Sequence, residues 1–301
     1  AGTLPALPMN TATGVNASIA ASAGFKISSG LAANSRFGAT VSGIGDINGD
    51  GFDDVMIGGG GTSGLAYVVY GGATNAGVLM DVSGNIKNSQ GFKISLAASL
   101  DGFGSFGSSV TGLGDVNGDG FSDFGLRISS AYSYVVYGSK TNQSDLVAYD
   151  MNAYAIDPIR GYRLTGLVTA VGDMNNDGIA DVVSTNYNSL NGSYAASVYY
   201  SNADGTANTT NVAYSITGTI SNSPMDRVTS MGDVNGDGIA DLAVLSSRQV
   251  FVVYGQTGTT NVALSTLSAS QGFKIVLPTG SSSYDWISSA GDVNGDGFAD
   301  V

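Results

Sequence analysis

One ten-residue phrase occurs five times in this chain of 301 residues, and it limits the folds available to the chain. The copies are GDINGDGFDD (45–54), GDVNGDGFSD (114–123), GDMNNDGIAD (172–181), GDVNGDGIAD (232–241) and GDVNGDGFAD (291–300). The opening aspartates are separated by 69, 58, 60 and 59 residues. A period near 60 residues indicates a repeat architecture, in which each repeat forms one supersecondary unit.

Two further elements recur at similar offsets from each phrase. A strand-like tetrad precedes each copy: GFKI (24–27), GFKI (91–94), AYAI (153–156), AYSI (213–216) and GFKI (272–275). An apolar run follows the first four copies: AYVVYG (66–71), SYVVYG (133–138), ASVYYS (196–201) and VFVVYG (250–255). The tyrosine that recurs in these runs (Tyr70, Tyr137, Tyr200 and Tyr254) is expected to pack between repeats, with carbohydrate stacking as the alternative.

The sequence of each unit therefore predicts the same order of elements: a strand, the acidic loop, a strand, a turn, a strand, a polar crossing and a fourth strand. Repeated in tandem, this four-stranded antiparallel unit is typical of a β-propeller. We predict an all-β propeller of four-stranded blades, with four complete repeats and two partial ones. Residues 1–23 are predicted to be the end of a preceding repeat or a linker. Residues 24–301 are predicted to form the propeller, incomplete at its C-terminus and cut from a longer array.

The charge of the chain is concentrated in the repeated phrases. The formal net charge is −13, and all 24 acidic residues are aspartates, of which 16 lie in the five phrases, 15 of them at positions one, five and nine. One divalent cation per phrase adds ten positive charges and leaves a net charge of −3. We therefore interpret the acidity as local ligand chemistry. The 11 Lys and Arg residues form no cluster, which argues against a nucleic-acid partner.

The residue types that are absent exclude several kinds of chemistry. The chain has no Cys and no His, so disulfides, thiolate catalysis and zinc–thiolate sites are excluded. It has no apolar run of the roughly 18 residues that a transmembrane helix needs, so no transmembrane segment is predicted. Without His, Cys or Glu, a catalytic base would have to be Asp, Lys, Arg or Tyr. Asp101, Asp157, Asp226 and Asp285, which lie outside the loops, have a simpler role in turns, so no enzyme and no catalytic residue are predicted.

Each phrase has the composition of a cation-binding loop. Counted from the opening aspartate, side-chain oxygens fall at positions one, three, five and nine, and alternate side chains over a tight turn converge on one point. Glycine at position six permits the positive φ that the reversal needs. Position seven is always apolar, which predicts that it pins the loop to the core while its backbone carbonyl faces inward. Such an all-oxygen cage suits Ca²⁺ better than Mg²⁺, so about five Ca²⁺ sites are predicted.

The predicted metal ligands are the side chains at positions one, three, five and nine and the backbone carbonyl at position seven. They are Asp46, Asn48, Asp50, Phe52 and Asp54; Asp115, Asn117, Asp119, Phe121 and Asp123; Asp173, Asn175, Asp177, Ile179 and Asp181; Asp233, Asn235, Asp237, Ile239 and Asp241; and Asp292, Asn294, Asp296, Phe298 and Asp300. An EF-hand is excluded because position twelve is not Glu and the flanking sequences are strand-like. A single copy of such a phrase is as well explained by a surface turn, but five copies favour metal binding.

Loop, tetrad and apolar run together resemble the FG-GAP repeat of integrin α-subunit β-propellers and their bacterial relatives. Phe37-Gly38 and Phe106-Gly107 each stand nine residues before a loop aspartate, and IGGGG at 57–61 occupies the place of the GAP segment. The last three units have Leu164-Thr165, Pro224-Met225 and Ser283-Tyr284 where the FG pair would be. The resemblance implies a calcium-binding propeller, commonly of seven blades, that is used in adhesion.

Three function hypotheses remain open. The first is a secreted or cell-surface, Ca²⁺-stabilised propeller that acts as an adhesion or interaction module for a protein or polysaccharide ligand. The second is a structural subunit of an extracellular fibre or surface layer, whose partners are copies of itself. The third is a carbohydrate-binding or lyase accessory propeller. An extracellular or cell-surface location is predicted because millimolar calcium is an extracellular condition.

Overall fold

The structure is a computed structural model that describes residues 27–28, 36–59, 65–72, 78–79, 85–96, 106–129, 131–141, 146–148, 161–188, 193–202, 212–218, 228–246, 249–276 and 287–300. These residues form twenty β-strands and one short 3-10 turn, Leu264–Thr266. The strands are, in chain order, β1 (Ile27–Ser28), β2 (Phe37–Gly45), β3 (Asp54–Gly59), β4 (Leu65–Val69), β5 (Val78–Leu79), β6 (Gly91–Leu96), β7 (Val110–Gly114), β8 (Asp123–Arg127), β9 (Tyr132–Val136), β10 (Leu146–Ala148), β11 (Gly161–Thr165), β12 (Leu167–Gly172), β13 (Asp181–Asn188), β14 (Ser193–Tyr199), β15 (Tyr214–Thr217), β16 (Val228–Gly232), β17 (Asp241–Ser246), β18 (Gln249–Val253), β19 (Val262–Ala263) and β20 (Gly272–Val276). Within these ranges, no helix has the length and apolar character needed to cross a bilayer.

Four sheets repeat the same antiparallel arrangement. The strand orders are β2-β3-β4-β6, β7-β8-β9-β11, β12-β13-β14-β15 and β16-β17-β18-β20. The pairing register also repeats, since the last valine of the third strand lies opposite the glycine that opens the fourth in three sheets. These pairs are Val69 with Gly91, Val136 with Gly161, and Val253 with Gly272. The predicted all-β fold and its four-stranded antiparallel unit are thus confirmed.

Short parallel strands extend the first and third sheets at their outer edges, and a further parallel pair forms a separate two-stranded sheet. β5 pairs with β1, β10 pairs with β6, and β19 pairs with β15. Each of the three lies in the crossing that follows an apolar run, so a strand of one unit pairs with the fourth strand of the unit before it. The sequence predicted polar crossings and no strand within them, since two or three apolar residues carry no periodicity.

The fourth strand of the second sheet is not where the sequence predicted it. The tetrad AYAI (153–156) lies outside the described residues, and β11 is the strand that pairs with β9. Gly161 opens β11 with a φ of 138°, as Gly91 opens β6 with a φ of 145°. A Cβ at Gly161 would lie 2.0 Å from the carbonyl oxygen of Val135, so only glycine fits there. The counterpart of GFKI in this unit is therefore GYRL (161–164).

An aromatic pair closes the outer edge of each sheet. The recurring tyrosine after the third strand packs against an aromatic ring of the fourth strand. The pairs are Tyr70 with Phe92 (6.2 Å between ring centroids), Tyr137 with Tyr162 (5.9 Å), Tyr200 with Tyr214 (6.1 Å) and Tyr254 with Phe273 (6.2 Å). The tyrosines thus have the packing role that the sequence predicted, but the ring partner lies in the same sheet rather than in a neighbouring repeat.

An apolar layer lies between consecutive sheets. Met56 of the first sheet belongs to one buried cluster with Phe124 of the second, and Val183 of the third sheet belongs to another with Val244 of the fourth. A third cluster joins the second and third sheets. Because central strands such as β8 are buried on both faces, their sequences are continuous apolar runs rather than alternating ones.

The first strands of consecutive sheets lie beside one another. β2 contacts β7, β7 contacts β12, and β12 contacts β16. The hydroxyl of Ser230 in β16 donates a hydrogen bond to the carbonyl of Val171 in β12 (3.1 Å). Between β7 and β2 the backbones come so close that a Cβ at Gly112 would lie 2.7 Å from the carbonyl oxygen of Gly43 and 2.9 Å from the Cα of Ile44.

This close approach makes Gly112 sensitive to a single methyl group. We expect Gly112→Ala to lower the free energy of unfolding by about 1–3 kcal/mol, because the added Cβ overpacks the junction of the two strands. Gly43→Ala is the matched control, since a Cβ at position 43 meets no atom within 4 Å. Urea denaturation at one fixed calcium concentration measures both variants. Equal unfolding midpoints for the two would contradict the close packing of β7 on β2.

Candidate metal centres

The first four acidic loops each join the first and second strands of their unit, and a single bridge closes the fifth loop. The glycine before the opening aspartate pairs across the strands with the aspartate at position nine. The pairs are Gly45 with Asp54, Gly114 with Asp123, Gly172 with Asp181, Gly232 with Asp241, and, as an isolated bridge, Gly291 with Asp300. Both ends of every loop are therefore fixed by a strand pair, so the residues between them are held in a closed turn.

The opening aspartate organises the backbone of its loop. Oδ1 of Asp46 accepts the N–H groups of Gly49 (2.7 Å) and Asp50 (3.1 Å), while Oδ2 accepts the N–H of Gly51 (2.8 Å). The other four loops repeat these bonds. Burial raises the pKa of Asp46, but four backbone N–H donors outweigh it and hold that pKa below its ordinary value.

Positive φ angles at positions four and six bring these N–H groups onto the aspartate. The glycines at position six have φ between 84° and 90°, as the sequence predicted: Gly51, Gly120, Gly178, Gly238 and Gly297. Position four is also left-handed, and Asn176 occupies it in the third loop with a φ of 61°. Asparagine tolerates this conformation better than most residues with a side chain, so the third loop keeps the common shape.

The side chains at positions three and five are bonded to each other. Nδ2 of Asn48 donates to Oδ2 of Asp50 (3.1 Å), and Oδ1 of Asn48 accepts the backbone N–H of Asp50 (2.8 Å). Oδ1 of Asp50 accepts the N–H of Phe52 (3.0 Å). Equivalent bonds are present in the other four loops. Positions one, three and five are thus brought together, with position five exposed to solvent and position three buried in the first two loops, at Asn48 and Asn117.

The aspartate at position nine faces the interior instead. Asp54 is 0% exposed; its Oδ2 accepts the N–H of Ile47 (3.1 Å) and its Oδ1 accepts the N–H of Gly71 (2.8 Å). Asp123, Asp181 and Asp241 repeat both bonds, while Asp300 accepts the N–H of Val293 (2.8 Å). Each position-nine carboxylate therefore links its loop to the backbone, and in the first four loops that link reaches the end of the third strand.

Burial raises the pKa of these interior carboxylates. Repulsion from the aspartates at positions five and one adds to the shift, while the two backbone N–H donors oppose it. The pKa rises to about 6 for Asp54 and Asp241, to about 7 for Asp181 and to about 8 for Asp123.

The residues of each loop fit a hard cation in their donor chemistry. Every side chain at positions one, three, five and nine offers oxygen, and a carboxylate oxygen that accepts one N–H still has a second lone pair. The carboxylates are nevertheless occupied by backbone N–H groups, and among the described residues no three acidic side chains form a preassembled cluster. A cation would therefore bind positions one, three and five, with position nine reaching it from the buried side.

The raised pKa values predict how the metal-free protein responds to pH. The unfolded carboxylates have a pKa near 3.9, so between about pH 4 and about pH 8 the folded state holds more protons than the unfolded state. The free energy of unfolding should therefore decrease as pH rises through that window. Urea titrations of calcium-depleted protein at about pH 5 and about pH 8 measure the trend. In saturating Ca²⁺ the trend should reverse, because protons compete with the cation for the same oxygens. A metal-free protein that gains stability over this window would contradict the prediction.

The apolar residue at position seven does not anchor its own loop to the core. Phe52 is 41% exposed and Phe298 is 44% exposed. Phe121 lies instead against the preceding loop, where a Cβ at Gly49 would be 2.5 Å from its Cε1 atom. The prediction that position seven pins each loop to the core is therefore wrong for Phe52 and Phe298, which are exposed, and Phe121 packs on the preceding loop instead.

Sequence analysis also missed the backbone donors that hold position nine. They are Gly71, Gly138, Ser201 and Gly255, the residues that follow the recurring tyrosines. The signal was present, since a small residue follows the tyrosine in all four apolar runs. Its role was hidden because it acts through a backbone N–H, which any residue except proline carries.

A polar cleft of about 680 Å³ opens beside the third loop. Its lining includes Asn175 and Asp177 of the loop, Asn202, and Thr259 from the following unit. Tyr200 closes one side, because its hydroxyl donates to the carbonyl oxygens of Gln256 and Gly258. The cleft therefore presents amide, hydroxyl and carboxylate groups from two consecutive units on one surface.

Comparison with known families locates the same repeat independently. A family model described as an FG-GAP-like repeat matches residues 173–244 and residues 233–301. The two matched segments begin at the opening aspartates of the third and fourth loops, and together they contain the last three loops.

A curated relative points in the same direction. Integrin alpha-E of Mus musculus is 36% identical to this chain over 115 residues, which are 36% of this chain and 9% of the relative. The chain thus covers only a small part of the relative's length. This similarity extends to a segment and not to the whole of the integrin subunit.

Proposed function

Because residues 173–301 of the chain are FG-GAP-like repeats, we propose that the chain is a calcium-stabilised β-propeller segment. It acts as an adhesion or interaction module outside the cell or at the cell surface. The observation that carries the proposal is the recurrence of one oxygen-rich loop, in one closed geometry, between the first two strands of every unit. A catalytic role is not part of the proposal.

Support for the propeller comes from how the sheets meet. Consecutive four-stranded sheets face each other across apolar layers, and their first strands lie side by side. This is the relation that blades have around a propeller axis, where the innermost strands are neighbours and the outer strands diverge. Parallel strands join the first sheet to the second unit (β10 with β6) and the third sheet to the fourth unit (β19 with β15). Low-resolution electron microscopy of the calcium-loaded chain tests the proposal, and an extended rod of sheets would contradict it.

Support for calcium comes from the donor set of each loop. The ion would be held by the side chains at positions one, three, five and nine and by the carbonyl at position seven. When bound, it would neutralise the repulsion among three carboxylates. The opening aspartate orders the turn because its carboxylate accepts backbone N–H groups of the loop. The position-nine aspartate links the turn to the sheet through the backbone N–H groups that it accepts.

Support for an adhesive role comes from the similarity to an integrin α subunit. The polar cleft beside the third loop is a surface on which a protein or polysaccharide ligand could make hydrogen bonds. To test adhesion, the calcium-loaded chain is applied to plates coated with collagen, fibronectin, cellulose or alginate, with and without EGTA. We expect saturable retention on at least one coating and its loss in EGTA. Folded, calcium-loaded protein that no coating retains would contradict adhesion to these classes while leaving calcium binding standing.

A further inference from the structure

Consecutive acidic loops are joined directly to one another. The backbone N–H at position eight of each loop donates a hydrogen bond to the backbone carbonyl of the opening aspartate in the preceding loop. The four bonds are Ser122 to Asp46 (3.0 Å), Ala180 to Asp115 (3.2 Å), Ala240 to Asp173 (3.0 Å) and Ala299 to Asp233 (2.8 Å). The five loops therefore form one continuous row.

Side-chain packing reinforces two of these junctions. The ring of Phe121 covers Gly49, where a Cβ would be 2.5 Å from Cε1, and the ring of Phe298 covers Gly236, where a Cβ would be 2.3 Å from Cε1. Both glycines stand at position four, next to the N–H groups that bind the opening aspartate. Position seven of one loop thus shields the tip of the loop before it.

The opening aspartate is consequently held from two sides. Its carboxylate is fixed by N–H groups of its own loop, and its carbonyl is fixed by the loop that follows. Because the same residue supplies the first predicted ligand, the following loop sets the backbone orientation from which that ligand reaches the cation. Partners of this kind outside the direct ligands commonly change metal affinity by about 10–100-fold.

We propose that each cation loop is held in its binding conformation by the following loop, so that Phe121 and Ser122 are positioning residues for the first loop. Phe298 and Ala299 have the same role for the fourth loop. This inference rests on the proposed calcium binding. It adds that the affinity of a loop is determined partly by residues outside its own sequence phrase.

The test uses the position-six glycine amides as site-specific reporters. The N–H of Gly51 donates to Asp46 and that of Gly120 donates to Asp115, each at 2.8 Å, so their ¹H–¹⁵N chemical shifts follow the state of each loop's first ligand. Calcium titration of the full chain, followed by NMR, gives one dissociation constant for each loop. We expect Phe121→Ala to weaken binding at the first loop by about 10-fold and at its own, second loop by less than about 3-fold. Phe273→Ala is the control and should leave both constants unchanged, because it removes a phenylalanine ring that is 38% exposed in β20, outside the acidic loops.

A compensating pair excludes a general loss of stability. The third loop has Asn176 at position four, and the loop after it has Ile239 rather than phenylalanine at position seven. We expect Gly49→Asn to weaken the first loop, because its side chain meets the Phe121 ring, and we expect the added substitution Phe121→Ile to restore the affinity to within about 3-fold.

The outcomes separate this inference from the proposed function. If calcium changes no position-six glycine chemical shift in the unmodified chain, the calcium proposal is wrong. The inference, which rests on it, is then wrong as well. If the unmodified chain binds calcium but Phe121→Ala leaves the first loop unchanged, or weakens both loops equally, the inference alone is overturned.

Discussion

Chelation of Ca²⁺ by EGTA should lower the thermal unfolding midpoint of the chain by about 10 °C or more. At about 1 mM free Ca²⁺ and a dissociation constant of about 10–100 μM, each loop gains about 1.4–2.7 kcal/mol from linkage. Loops that act on one unfolding transition add their contributions, and each kcal/mol is worth about 2–4 °C in a domain of about 150–250 residues. Circular dichroism in 1 mM CaCl₂ and in EGTA measures the shift.

Mg²⁺ at equal concentration is the control for this experiment. It also reduces repulsion within a chain of net charge −13, but it demands octahedral geometry and gives up its water reluctantly. We expect it to recover only a minor part of the midpoint. An unchanged midpoint in EGTA would remove the calcium proposal, and equal recovery by both ions would reduce it to general charge screening.

Asp123→Ala should be the most damaging single substitution in an acidic loop. Its carboxylate is fully buried and accepts the N–H groups of Val116 and Gly138, each at 2.8 Å. Removing it leaves two buried donors without an acceptor, at a cost of about 1–3 kcal/mol each. We expect a loss of about 3–5 kcal/mol in the free energy of unfolding in EGTA, measured by urea denaturation.

An exposed aspartate of another loop provides the control for this substitution. Asp53 stands at position eight of the first loop, is exposed, and is outside the predicted ligand set. Asp53→Ala should change stability by about 0.5 kcal/mol or less. In Ca²⁺ the difference between the two variants should widen, since Asp123→Ala also removes a predicted ligand. Similar midpoints for the two variants in EGTA would contradict the structural role of position nine.

The antiparallel unit could be predicted from the sequence because its signals are local. The acidic loop marks the turn between the first two strands, and the apolar run marks the third. The sequence did not predict the position of the fourth strand of the second sheet, because the other tetrads stand about 20 residues or more before the next loop. In this unit Gly161 stands only 12 residues before Asp173, since β11 reaches β12 through the single residue Gly166. The length of a connection depends on where two strands meet in space, which the sequence pattern does not specify.

The ligand positions could likewise be predicted from spacing, whereas their surroundings could not. The positive φ angles of the position-six glycines and of Asn176 could be predicted, because these residue types tolerate the left-handed conformation. That position nine turns inward to Gly71 and Ile47 depends on backbone N–H groups that carry no residue-specific signal. The contact of Phe121 with Gly49 joins residues 72 positions apart, and only the stacking of whole units brings them together.

Because of the parallel outer strands, the boundaries of two sheets do not coincide with the boundaries of the sequence repeats. Leu146–Ala148 belongs to the second unit by sequence, yet it completes the edge of the first sheet beside Ile94–Leu96. Val262–Ala263 does the same between the fourth unit and the third. A truncation at the end of a repeat therefore strips hydrogen bonds from the repeat that remains. A unit therefore contributes a strand to the sheet of the unit before it, in addition to the contacts between their loops. We expect neighbouring units joined in this way to unfold cooperatively.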